Sequence, residues 1–133
     1  MIKTFIALFL LHYALLLKNQ DATGYEITFD KNLHDFGIIY KGSRAECVFS
    51  FINKSDKPVA ITSVKASCGC TVPVWSKNPV KPDGSGTISV RYNTNITGTF
   101  YKTITILTTG GSKSITLAIR GEVKKKARNN TKP

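Results

Sequence analysis

Acidic side chains are scarce in this 133-residue chain: 8 Asp and Glu stand against 19 Lys and Arg, a net charge of +11. Asp30, Asp35 and Glu46 are separated in sequence, so no spacing marks two carboxylates as a general acid and base. Three cysteines are too few for a disulfide-dense mini-scaffold, and the length is too short for a multidomain machine. H-E-x-x-H, G-x-S-x-G, Walker-loop and dinucleotide patterns are all missing. Gly84-Ser85-Gly86 reads as a turn, because no strand–turn–helix context surrounds it. Neither an enzyme nor a resident cofactor is expected. The basic residues are spread along the chain, with one dense cluster at Lys124-Lys125-Lys126, and no aromatic stacking pattern accompanies them. That excludes a nucleic-acid site and leaves a solvated surface.

Long apolar runs are also lacking. The one present covers thirteen residues, Phe5 to Leu17, after the positive Lys3, and stops at Lys18-Asn19-Gln20-Asp21. A bilayer span needs about 20 residues, whereas a secretory signal uses roughly 7 to 15. Residues 1–22 are therefore expected to be a signal peptide, cut near Ala22, and the protein to be exported to the periplasm or beyond. Contact with a membrane is expected only through this segment or through a basic disordered tail over residues 124–133.

With 41% hydrophobic and 10% aromatic residues, the remainder can bury a core. Its hydrophobic period is two, the signature of strands. Ala45, Cys47, Phe49 and Phe51 share one face, as do Ile88, Val90 and Tyr92, then Phe100, Ile104 and Ile106, then Ile115, Leu117 and Ile119. Val59 and Ile61 are out of phase with Val64 and Ala66, which predicts a bulge near Thr62 and Ser63. Turn residues punctuate the intervals at 41–43, 53–58, 81–84 and 109–112. With opening strands at 25–29 and 36–40, about seven strands are predicted. Residues 23–123 thus read as an all-β, immunoglobulin-like antiparallel sandwich.

One segment carries chemistry: Ala66-Ser67-Cys68-Gly69-Cys70-Thr71-Val72-Pro73. In an extended chain the two thiols share a face with Cα atoms about 6.6 Å apart, near the outer limit for a disulfide. A turn at Gly69 would bring them closer, into a small ring that is easily reduced. The same pair could instead bite a soft metal ion such as Cu(I) or Zn(II), with Cys47 and His34 the remaining donors of the mature chain. Cys68 and Cys70 are thus a possible disulfide or a possible metal pair, and spacing leaves both open. His34-Asp35 reads as a turn device at a strand entry, and Trp75 as packing over one end of the sandwich. Asn53-Lys54-Ser55, Asn95-Ile96-Thr97 and Asn129-Asn130-Thr131 match the glycan acceptor pattern, which is inert in a bacterium.

His34-Asp35-Phe36-Gly37, Phe49-x-Phe51-x-Asn53, Ala66-Ser67-Cys68-Gly69-Cys70-Thr71 with Pro73, Pro82, Lys102-Thr103-Ile104 and Gly121-Glu122-Val123 resemble, in this order, the bacterial family named domain of unknown function 1573. The resemblance covers about Ile27 to Val123. It implies an exported immunoglobulin-like domain common in the Bacteroidetes, similar in architecture to domains that serve as packing modules in spindle and ciliary proteins. It implies no activity. The expected function is an exported, non-catalytic binding or structural module, contacting an envelope or secreted protein by strand addition or loop contact. The alternatives are soft-metal binding and thiol exchange, both through Cys68-Gly69-Cys70.

Overall fold

The computed structural model describes residues 2, 3, 6, 26–111 and 113–127. The expected signal segment and its cleavage point fall almost wholly outside these residues. Among the described residues eight strands follow in chain order: β1 Ile27–Phe29, β2 Leu33–Tyr40, β3 Ala45–Asn53, β4 Ile61–Ala66, β5 Thr71–Trp75, β6 Ser85–Tyr92, β7 Gly98–Thr108 and β8 Ile115–Lys124. They form two four-stranded sheets, ordered β1-β3-β6-β5 and β2-β8-β7-β4, packed face to face as an immunoglobulin-like sandwich.

Alternation builds the core as the sequence predicts. Ala45, Cys47, Phe49 and Phe51 of β3 and Ile88, Val90 and Tyr92 of β6 point inward from one sheet. Phe100, Ile104 and Ile106 of β7 and Leu117 and Ile119 of β8 meet them from the other. Tyr92 and Phe100 stack across the gap with centroids 3.7 Å apart, closing one end of the core. The predicted bulge is present: the β4–β7 register shifts between Ile61 and Ser63, so Ile61 and Val64 can both face inward.

Four features depart from the expected outline. β5 is the additional strand, hidden in the sequence by Pro73. Cys70 accepts a bond from the Asn93 amide of the neighbouring strand's end, so the backbone of Pro73, three residues on, points away from β6 and its missing N–H costs no ladder bond. Second, the sandwich is not wholly antiparallel: β2 runs parallel to β8. The chain leaves β1 at Asp30 and crosses to the other sheet without reversing, so β2 keeps the direction of β1. Third, Ser85 and Gly86 belong to β6 rather than to a turn. Gly86 lies under the Phe51 ring, where a Cβ would come within 2.4 Å of Cζ. Fourth, β8 extends through Lys124, whose carbonyl accepts a bond from Lys41 N–H, so Lys124, expected outside the sandwich, belongs to it.

Candidate functional site

The loops 41–44, 67–70 and 93–97 meet at one end of the sandwich, where β2, β4 and β6 finish. Ser67 N–H donates to Thr103 O at 2.9 Å, and Thr103 N–H returns a bond to Ser67 Oγ at 3.1 Å. Asn93 N–H donates to Cys70 O at 2.8 Å, and Thr94 Oγ1 donates to Ser43 O at 2.6 Å. These bonds fix the Cys68-Gly69-Cys70 turn between β7 and the 93–97 loop, which the 41–44 loop braces in turn. Gly69 is exposed and both cysteines are half-buried.

Within the turn, Cys68 and Cys70 are joined as a disulfide with Cα atoms 5.3 Å apart, shorter than a fully extended segment would give. The Thr71 hydroxyl, on a buried residue, lies 3.7 Å from Cys68 Sγ and 3.9 Å from Cys70 Sγ. A bridge closing so short a loop restrains the unfolded chain little, about 1.6 kcal/mol by loop entropy against about 3 for a 15-residue loop. The pair is therefore a poor staple, and its chemistry matters more than its mechanical role.

A groove of about 380 Å³ runs beside the turn, lined among others by Arg44, Gly69, Cys70, Val72, Arg91 and Asn93. Arg44 holds Glu46 through two bonds, Nε at 2.9 Å and Nη2 at 2.6 Å, and Arg91 approaches the same carboxylate at 3.7 Å. The Arg44 bonds, helped by a bond from Ser89 Oγ, hold the Glu46 carboxyl below its usual range. Two guanidiniums share one carboxylate, so the groove keeps a positive balance. Lys41 and Lys124–Lys126 stand at the same end and add to it.

The remaining sequence candidates are dispersed. Cys47 is buried on the inner face of β3, opposite Val90, and desolvation pushes its thiol up to about 11. Near pH 8 that leaves about a hundredfold less thiolate than an ordinary cysteine at 9.0 would have. Iodoacetamide is accordingly expected to spare Cys47 in the folded protein and to add one label once denaturant is present, as read by mass. His34 sits on β2 beside Lys31 and Phe36, with burial and then the Lys31 charge lowering its pKa. Asp35 points to the opposite face, where its carboxylate takes the Gly37 N–H and the Arg120 side chain. The two are strand neighbours on opposite faces rather than a dyad, and the turn-device role falls to Asp35 alone, at the Gly37 kink within β2. Among the described residues no three His, Cys, Asp or Glu come together around a metal position, so the set of Cys47, Cys68, Cys70 and His34 is not assembled. Trp75 packs against the core from the end of β5, with its Nε1 buried and without a partner among the described residues.

Asn53 was missed as a structural centre. It is fully buried: Nδ2 donates to Lys57 O and Val80 O, and Oδ1 accepts from Ser55 N–H and Oγ. An Asn with every polar site engaged cannot serve as a glycan acceptor in the folded chain. Its alternation with Phe49 and Phe51 was the available signal, since it places the side chain on the core face.

A family model described as a protein of unknown function, DUF1573, matches residues 27–123. The chain belongs to that family. No curated protein matches the sequence. Among solved structures, the DUF1573 domain is similar to a protein of unknown function from Porphyromonas gingivalis W83, with 14% identity, a TM-score of 0.64, and coverage of 79% of this chain and 51% of that one. The match thus spans about half the length of the Porphyromonas protein. PapD-like domain 7 of human CEP192 matches with 7% identity and a TM-score of 0.68, over 83% of this chain and 94% of that domain. The C. elegans MSP family member WR4 matches with 13% identity and a TM-score of 0.54, over 74% and 98%. Identities this low establish a shared fold and nothing further about the DUF1573 domain.

Proposed function

We propose that the domain is an exported, non-catalytic binding module that takes up an extended segment of another envelope or secreted protein along the open half of β3. The observation that carries this reading is the length of β1. Its three residues pair only with Phe51, Ile52 and Asn53. Beyond them, Asp30 closes the edge at Ser50, donating its N–H to Ser50 O and accepting the Ser50 N–H on its carboxylate. Because backbone direction alternates, the N–H and C=O groups of Val48 and Glu46 point the same way as those of Ser50, and no strand among the described residues pairs with them there.

The other edges are guarded. β5 carries Pro73, β4 is bulged and carries Lys65, and β2 is kinked at Gly37, whose φ is +62°. The first half of β3 has no proline, glycine or lysine. On its outer face Val48 is 47% exposed, so an added strand would gain apolar contact there as well as backbone bonds. The positive balance at Arg44 and Arg91 favours acidic residues in the incoming segment. Export is supported by the apolar leader and by a disulfide, which persists in oxidising compartments.

Val48→Pro tests the reading, because it removes an N–H that the β3–β6 ladder does not use. With the fold retained, capture of the partner from an envelope extract is expected to fall roughly tenfold or more, the loss of one backbone bond and its strand geometry. In the wild-type complex the Glu46 and Val48 amides are expected to become protected from hydrogen exchange. A captured partner that binds Val48→Pro as well as wild type, with those amides still exchanging freely, would refute strand addition here.

A further inference from the structure

We infer that the Cys68–Cys70 disulfide is a thiol-exchange site that oxidises a dithiol in acidic polypeptide segments, with Cys68 as the sulfur attacked. This goes beyond the binding reading and does not rest on it. Three observations converge on the turn. The bridge contributes little as a staple, since it closes a loop of three residues. The two sulfurs are not equivalent: Cys70 packs against the core cluster and Cys68 does not, so Cys68 is the outer one. The surroundings are electropositive, with Arg44 and Arg91 lining the adjoining groove and Lys41 and Lys124–Lys126 at the same end. Positive charge near a cysteine pair favours thiolate.

The exchange proceeds in two displacements. A substrate thiolate attacks Cys68 Sγ. A bond forms between the substrate sulfur and Cys68, the Cys68–Cys70 bond breaks, and its electron pair leaves on Cys70 Sγ. Thr71 is placed to donate its O–H to that thiolate, being within 3.9 Å of Cys70 Sγ and 3.7 Å of Cys68 Sγ. The second substrate thiolate then attacks the first substrate sulfur and expels Cys68 as a thiolate. The substrate leaves as a disulfide, two electrons have passed to the protein, and the two protons released by the substrate thiols end on Cys68 and Cys70. Cys47 takes no part, being buried in the sandwich.

The test uses the purified protein and a reduced synthetic peptide bearing two cysteines with acidic flanks, with a basic-flanked version as control. Expected are one peptide disulfide formed per protein, loss of the Cys68–Cys70 bond by mass, an unchanged circular-dichroism spectrum, and a rate advantage for the acidic peptide that high salt removes. Cys70→Ser, which retains Cys68, is expected to form a mixed disulfide with the oxidised peptide roughly tenfold faster than Cys68→Ser, which retains Cys70, packed against the core. In the Cys68→Ser variant, where Cys70 is the attacking thiol, Thr71→Val is expected to move the pH profile of capture up by roughly one unit, and Thr71→Ser to restore it. A disulfide that survives excess reduced peptide while the fold is intact overturns exchange. Equal capture by the two serine variants overturns the assignment of Cys68.

Discussion

Phe49→Ala is expected to destabilise the domain by about 3–5 kcal/mol, a large share of the roughly 5–15 kcal/mol available to a domain of this size. Phe49 lies at the middle of β3, fully buried and opposite Ile88, with the Lys31 ammonium 5.6 Å from its ring centroid. Truncation removes the ring from a core whose other walls, Ile104, Ile106, Leu117 and Ile119, sit on the facing sheet. Both sheets are held by hydrogen-bonded ladders, so the backbone cannot close the space and the cavity persists. Urea unfolding followed by fluorescence or circular dichroism checks this through a lower midpoint at unchanged slope. A loss under about 1 kcal/mol would mean that the sheets collapse onto the gap, contrary to a core fixed by its ladders.

Asn53→Ala is the second large effect, at about 2–4 kcal/mol, and its cause is polar. The side chain ties two segments together at the end of the sandwich opposite the disulfide: the Ser55–Lys57 loop and the Val59–Val80 bridge. Its backbone joins the same knot, with Asn53 N–H donating to Gly84 O and Asp83 N–H donating to Asn53 O. Alanine leaves the carbonyls of Lys57 and Val80 with one partner fewer and the Ser55 amide without an acceptor. Asn53→Asp separates hydrogen bonding from size, because it keeps the shape but turns an acceptor toward those two carbonyls. Burial raises that carboxyl's folded pKa above its unfolded value, so the variant's deficit at neutral pH is expected to shrink as pH falls through the folded pKa. A deficit independent of pH would show that Asn53 acts by filling space.

The legible parts of the fold were those written in alternation. Ala45 to Phe51, Ile88 to Tyr92 and Phe100 to Ile106 are paired strands whose inner faces are oily, and a period of two has one physical reading there. The bulge at Thr62 was equally legible, since a phase change between Ile61 and Val64 leaves a strand no other way to bury both. β5 was not legible. Pro73 argues against a strand until its neighbours are known, and only the pairing with β6 on one side and open space on the other makes the proline harmless. His34-Asp35, read as a turn device at a strand entry, lies inside β2, and only the Asp35 carboxylate has a turn-like part, accepting the Gly37 N–H at the kink. At the disulfide, the spacing of Cys68 and Cys70 left several chemistries open. The turn closed by Asn93 and Thr103 brings the sulfurs together, while Cys47 and His34 are held elsewhere by the core and by β2.

Two-residue periodicity and turn chemistry by themselves determined that this chain makes a two-layer β sandwich, because burying alternate side chains is a local constraint that each strand meets alone. Which strands become neighbours, which edge stays open and which cysteine faces outward were decided only in three dimensions. Those outcomes depend on contacts between residues far apart in the chain. The three-residue length of β1 frees half of β3, and of the two half-buried cysteines beside Gly69 it is Cys70 that packs against the core.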